Sequence, residues 1–447
     1  MTASTMSSSE LTPERRHEQR KVLAGTLVGT SIEWYDFFIY AQATGLVLGP
    51  LFLAPLDKSN PGLSQVLAFA TIGISFLFRP LGAILAGHLG DKWGRKSVLV
   101  MTLILMGLST ALIGVLPSYA TIGLWAPLLL IVLRVLQGFS AGGEWGGAAL
   151  MSVEHAPKNK RSLFGAYPQI GVPIGMILAT LVTLVLQLTL GKDAFMEWAW
   201  RITFLFSIVL VLVGYIVRRT VEESPVFKEL QQRQKDSSAP LGRLFVKHTK
   251  EVVLAALIFI ANNAAGYLLI AFFITYLTKR LGMDSIGVLL TTTLGSTGWL
   301  IFTLVGGWMG DKIGRVRTFQ IGYLIVLVWV IPMWFLIDAK SLGLYFIAAF
   351  VLTIGLGLSY GPQAALYSEM FPADVRYSGV SIGYAIGAIL GGAFAPMISE
   401  AILNASGVSW HIGIYLAAIT VISLVSVSLV KDKPGRDLNV ASADWVK

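Results

Sequence analysis

The sequence predicts an all-α membrane protein of twelve transmembrane helices in two six-helix halves, with both termini cytoplasmic. Three observations predict it. The 447-residue chain is 55% hydrophobic and only 13% charged, against roughly a quarter charged in a soluble domain. Apolar runs of roughly twenty or more residues recur along almost its whole length, each long enough to cross a hydrocarbon core of about 30 Å as a helix. Two short motifs of the first half return in the second.

Charged and Gly/Pro-rich breaks place the helices at 22–51, 63–89, 97–116, 121–152, 163–190, 199–219, 250–278, 285–310, 318–337, 342–368, 377–404 and 410–430. An amino-terminal tail (1–21) precedes the first half (22–219). A polar linker (220–249), the second half (250–431) and a carboxy-terminal tail (432–447) follow. The first twenty residues lack a secretory h-region and cleavage site, so the first apolar run is expected to stay as a span. With both termini inside, 26 of the 34 Lys and Arg residues fall on the inner side and six outside, while Arg79 and Arg134 fall within helices. That bias orients the bundle.

The formal charge of +9 sits in short loops, so it does not point to nucleic acid. With no cysteine, disulfides and thiolate metal sites are excluded. His17, His88, His155, His248 and His411 lack metal-ligand spacing. Gly355-Leu-Gly-Leu-Ser-Tyr-Gly361 has neither the spacing nor the preceding strand of a nucleotide loop. No nucleophile, base and oxyanion set can be assembled, so neither an enzyme nor a cofactor is expected.

Gly87-His-Leu-Gly-Asp-Lys-Trp-Gly-Arg95 returns as Gly307-Trp-Met-Gly-Asp-Lys-Ile-Gly-Arg315, 220 positions on, and the Glu154-to-Arg161 segment returns as Glu369 to Arg376, 215 positions on. Two motifs at nearly one offset imply a parallel repeat with a substrate site between the halves near mid-membrane. The Gly-x-x-x-Asp-x-x-Gly-Arg loop resembles the signature of the major facilitator superfamily, and the resemblance covers the whole chain. Glu33-Trp-Tyr-Asp-Phe37, Phe78-Arg-Pro-Leu-Gly82, Gln137-Gly-Phe-Ser-Ala-Gly-Gly-Glu-Trp-Gly-Gly147 and Glu223-Ser-Pro225 resemble its metabolite:proton symporter group, which includes shikimate, α-ketoglutarate, citrate and proline/betaine carriers. Tyr119 to Lys160 most resembles the shikimate carriers. The resemblance implies a monomeric inner-membrane importer whose partners are a small-molecule substrate, protons and the lipid bilayer. An organic acid such as shikimate is the expected substrate, with betaine or proline symport and drug/proton antiport as alternatives. Gly171-Val-Pro-Ile-Gly175 lacks the rest of an antiporter motif and reads as a close-packed helix.

Ionisable groups inside a bilayer are costly and by default mark a pathway. Glu33 and Asp36 fall near the middle of the first helix, three positions apart and on similar sides, and Arg134 near the middle of the fourth. An Asp36–Arg134 pair is expected, with protonation of Asp36 releasing Arg134 for an anionic substrate; a static pair is the competing role. Glu144, in a glycine-rich stretch with Gly142, Gly143, Gly146 and Gly147, is a second proton site or a packing tether. Arg79 either attracts an anion or tethers a carboxylate. Trp34, Tyr35, Tyr40, Gln42, Tyr167, Gln169, Asn262, Asn263, Tyr267, Tyr360, Gln363 and Tyr367 supply polar groups within apolar walls, as a small-ligand site needs.

The loop motifs read as gates. By resemblance, Asp91 caps the eleventh helix, Arg95 pairs with Glu154, and Arg315 pairs with Glu369. Arg161, Asp311 and Arg376 complete the set. Asp91 is expected to matter more than Asp311, whose motif has Val316 where the first copy has Lys96.

Overall fold

A computed structural model describes residues 13–53, 63–93, 95–220, 240–373 and 375–438, and every regular element among them is helical. The long runs, in chain order, are α1 (Pro13–Ala43), α2 (Leu63–Ala86), α3 (Arg95–Val115), α4 (Trp125–Glu154), α5 (Lys158–Leu190), α6 (Lys192–Val217), α7 (Thr249–Arg280), α8 (Ser285–Ile313), α9 (Arg315–Trp329), α10 (Leu342–Met370), α11 (Arg376–Ser406) and α12 (Trp410–Ser428). Apolar side chains solvate them in lipid, while each backbone satisfies its own hydrogen bonds. Nine of these helices are long and apolar enough to cross a membrane, and two bent pairs raise the number to eleven. One bend, of 51°, separates α9 from Pro332–Asp338, where the proline cannot continue the hydrogen-bond ladder. In α3 the apolar part, Val100–Val115, is shorter.

The halves meet along two seams, α5 on α8 and α2 on α11, with α7 buried between them and α6 turned outward. The repeat is visible in the breaks. Helix α4 loosens at Gly142–Gly143 and α10 at Gly361–Pro362, equivalent places in the two halves. Glycine is required where α2 crosses α4: a Cβ on Gly138 would enter the Ser75 carbonyl, and one on Gly142 the Arg79 carbonyl. This contact sets where Arg79 stands.

Candidate functional site

An internal cavity of about 10 Å³, room for one water, lies between the halves near the midpoints of α5, α7 and α8. Trp34, Asn262, Asn263, Tyr267 and Tyr360, all read from the sequence as candidates, line it together. Phe38, Val172, Phe259, Gly266, Ile270 and Trp299 complete its walls and carry no motif that singles them out. Asn262 donates to the Leu356 carbonyl and the Ser359 hydroxyl, both at 2.8 Å, and so belongs partly to the scaffold. By contrast, Trp34 Nε1, Asn263 Oδ1, the Tyr267 hydroxyl and Trp299 Nε1 are buried with no hydrogen-bond partner among the described residues. Native interiors rarely leave such groups unpaired, and here all four belong to residues that line one cavity, with Asn263 Oδ1 turned toward Gly392.

The other candidates fall around it. Gln169 accepts from Trp145 Nε1 at 2.8 Å and donates across the seam to the Tyr360 carbonyl at 3.3 Å. Gln42 accepts from Thr183 between α1 and α5, away from the cavity. Tyr35 and Tyr367 spend their hydroxyls on the carbonyls of Thr203 and Ala255. Gln363 is buried with neither amide atom partnered, and Tyr167 is half-buried; neither lines the cavity.

Asp36 and Arg134 do not pair, contrary to the expectation from their depth. The Asp36 carboxylate accepts from Ser207 at 2.6 Å. Arg134 is used up on the scaffold. Its Nε donates to the Thr71 carbonyl (3.2 Å), Nη1 to Gln137 (2.5 Å), and Nη2 to Ser75 Oγ (2.7 Å) and the Ile72 carbonyl (3.4 Å). Its face stacks 3.7 Å from the Tyr40 ring, and Tyr40 in turn bonds Thr71. Gln137 continues to Thr110, which stands beside Asp36, so two neutral side chains separate the charges. Gln137 lies in a quoted motif one helical turn after Arg134, a spacing that signals a partner.

Arg79 is only 2% exposed and has no such set of bonds. Its guanidinium carbon lies 4.1 Å from the centre of the Phe76 ring, 4.4 Å from Phe37 and 5.5 Å from the cavity residue Trp34, while Nε and Nη2 have no hydrogen-bond partner. Glu33 is buried within electrostatic reach of Tyr267 and Tyr360. Glu144, also buried, sits beside the α4 break, where Tyr377 donates across the seam to the Gly143 carbonyl at 2.7 Å and Trp145 stacks on Tyr384 at 3.7 Å.

At the end of the bundle that carries both termini, buried charges cross the seam. Glu369 meets Arg315 at 3.1 Å, as expected, and also Arg161 of the other half at 3.4 Å. Glu154, expected opposite Arg95, meets Arg376 of the other half at 3.8 Å. The side chains of Asp91 and Arg95 lie outside the described residues. Asp311, the second-half counterpart of Asp91, accepts from the backbone N–H groups of Ser162 and Leu163, both at 2.9 Å, where a carboxylate is stabilised by the positive end of α5. After α12 the chain forms a strap over this network. Asp432 accepts from Val316 N, Gly435 N donates to Glu369, the Arg436 carbonyl accepts from Arg161 at 2.5 Å, and Leu438 is buried.

The opposite end is joined by mostly neutral contacts: Thr293 to Thr180 at 2.7 Å, Ser285 to Gln187 at 2.9 Å and Ser296 to the Met176 sulfur at 3.2 Å. An exposed Lys192–Asp284 pair closes the rim at 3.4 Å. The cavity is thus shut at both ends.

A Major Facilitator Superfamily profile matches residues 37–389. The chain is 37% identical to an inner membrane metabolite transport protein of Escherichia coli K12, across 96% of this chain and 98% of that one. It is 37% identical to the shikimate transporter of the same organism (92% and 94% covered) and 31% identical to a proline/betaine transporter of Salmonella typhimurium (95% and 85%). Its fold is similar to a solved proton:xylose symporter of the superfamily, with a TM-score of 0.79 over 97% of this chain and all of that one at 17% identity.

Proposed function

The chain belongs to the major facilitator superfamily as a multi-pass metabolite transporter, and on that premise we propose that it is a proton-coupled symporter that imports a small organic acid across the inner membrane by alternating access. The observation that carries this reading is the cavity between the halves, with four unpartnered polar atoms in an aromatic wall and the buried carboxylates Glu33 and Asp36 on one bordering helix. Hydrogen-bonding groups held in place within apolar walls select a small polar ligand. Asp36 is held by hydroxyl donation, so a proton can join or leave there without breaking an ion pair. Glu33 and Glu144 are the other proton-site candidates. In this reading the end that carries the termini faces the cytoplasm, twelve spans cross the bilayer, and the protein works as a monomer. The Arg161–Glu369–Arg315 and Glu154–Arg376 contacts form the inner gate, to which Asp91 and Arg95 also belong.

Likeness to the shikimate transporter supports a hydroxylated monocarboxylate. One feature favours a second reading. Trp34, Phe259, Tyr267, Trp299 and Tyr360 form an aromatic wall of the kind that receives a quaternary ammonium, which fits a betaine-like zwitterion and the likeness to the proline/betaine transporter. Uptake by proteoliposomes under an imposed pH gradient, screened over shikimate, dicarboxylates, aromatic acids and betaine, tests both. Accumulation of an acid that a protonophore abolishes is the expected result. Accumulation that survives collapse of the gradient, without sodium dependence, overturns proton symport.

A further inference from the structure

We propose that Arg79, and not Arg134, receives the substrate's carboxylate, and that it does so side-on through Nε and Nη2. The assignment deepens the organic-acid reading above and rests on it.

A guanidinium is permanently charged and presents its donors in a rigid planar fork. Buried without a counter-charge it is strongly destabilising unless something else satisfies it. The two buried arginines of the first half solve this differently. Arg134 donates to two carbonyls, a hydroxyl and an amide oxygen and lies on Tyr40, so a ligand could reach it only by breaking bonds that hold α2 to α4. Around Arg79 only the faces are satisfied, by Phe76, Phe37 and Trp34. No carboxylate among the described residues lies within ion-pair distance of it; Glu33 acts on the same Tyr267 and Tyr360 from farther off. The two unpartnered nitrogens share one edge of the plane, and that edge carries the parallel pair of N–H donors that matches the two oxygens of a carboxylate.

The position is also held rigid. Arg79 opens the second segment of α2, directly before Pro80, and its carbonyl packs where Gly142 has no side chain. Trp34, which flanks its guanidinium, is itself a cavity wall, and Arg79 is within electrostatic reach of Tyr267, so a ligand seated on Tyr267 can extend a carboxylate toward it. The ring faces exclude water from the fork. A substrate selected here is a compact anion with one exposed carboxylate and a body able to hydrogen-bond the cavity's orphan polar atoms.

The test is calorimetric binding of shikimate, and of its neutral methyl ester, to the full chain in nanodiscs, with thermal unfolding in parallel. Arg79→Lys keeps the charge and loses the fork, so the shikimate Kd is expected to rise at least about tenfold, an energy of about 1.4 kcal/mol. Arg79→Gln is expected to abolish shikimate binding while the Tm stays level or rises, because a buried charge with no carboxylate at ion-pair distance has gone; a merely structural arginine would lower it. Arg134→Lys loses scaffold bonds, so its Tm falls, and the folded protein's affinity follows within about threefold. Shikimate binding to Arg79→Gln within threefold of wild type, or loss of affinity in Arg134→Lys at an unchanged Tm, overturns the assignment. Proteoliposome uptake separates the two levels. A wild type that accumulates no carboxylate of the panel sinks the organic-acid reading and this assignment with it. A wild type that accumulates an acid which Arg79→Gln still binds as tightly sinks the assignment alone.

Discussion

At the end that carries the termini, Arg161, Arg315, Arg376 and Glu369 tie the halves together, each at most 5% exposed. At the other end the work falls to hydroxyls, amides and the Lys192–Asp284 pair, whose side chains are 50% and 62% exposed. Removing one member of a buried ionic set strands the others, at about 3–5 kcal/mol, whereas exposed pairs contribute at most about 1 kcal/mol. The buried end therefore lets go as a unit, and the other end can open one contact at a time. The chain has no cysteine, so Val172→Cys in the cavity wall gives a single alkylation reporter that each end of the bundle can be asked to expose.

The largest effect is expected from Glu369→Gln, which leaves Arg161 and Arg315 facing each other. Alkylation of the reporter from the terminus-bearing side should rise by about a hundredfold, with transport nearly lost. Labelling at the wild-type rate would mean that these charges do not close this end. Asp311→Asn weakens a two-bond helix cap, about 1–2 kcal/mol, and should raise labelling from the same side about tenfold. If Asp311→Asn labels more than Glu369→Gln, the cap outranks the ion pairs and the order proposed here is reversed.

On the opposite side, Thr293→Val removes one neutral cross-seam bond, about 1 kcal/mol, and should raise labelling from that face about fivefold while leaving the first face unchanged. A response on both faces would show that the ends are not independent. The smallest effect belongs to the rim. The Gly287 backbone N–H, with Lys192 adding to it, holds the Asp284 carboxyl below the usual carboxylate range. A depressed folded pKa contributes stability above the unfolded value and loses it only as pH falls through the folded one. Labelling from this face should therefore be flat between pH 7 and 5, and Lys192→Ala should change it less than about twofold. A rise on mild acidification would contradict the cap.

The all-helical fold and its duplicated halves were legible in the apolar runs and the motif offset, because both are written along the chain. So was the Arg315–Glu369 pair, since each partner belongs to a repeated motif. The Asp36–Arg134 pair failed because sequence gives depth in the bilayer but not the rotation of one helix against another. Gln137, a turn away on the same helix, reached the guanidinium first. Phe76 stands three residues before Arg79, a spacing that places a ring beside the cation. Trp299, Phe259 and Tyr384 gave no such sign, because each meets its aromatic neighbours only through long-range packing, within the second half and, for Tyr384 on Trp145, across the seam.

The strap after α12 works largely through main-chain atoms. Glu369 is met by the amide of Gly435 and Arg161 by the carbonyl of Arg436. Gly435 has a φ of 78°, a conformation side chains rarely adopt, and Asp432 uses its carboxylate, but neither strap contact with the Arg161–Glu369 pair depends on a side chain at 433, 434 or 436. Alanine at these three positions would leave both main-chain contacts in place, although at Arg436 it would also remove a charge that reaches Glu369. Deleting a single residue among them would shift the amide and the carbonyl out of register together, so what this stretch must preserve is its length, more than its letters.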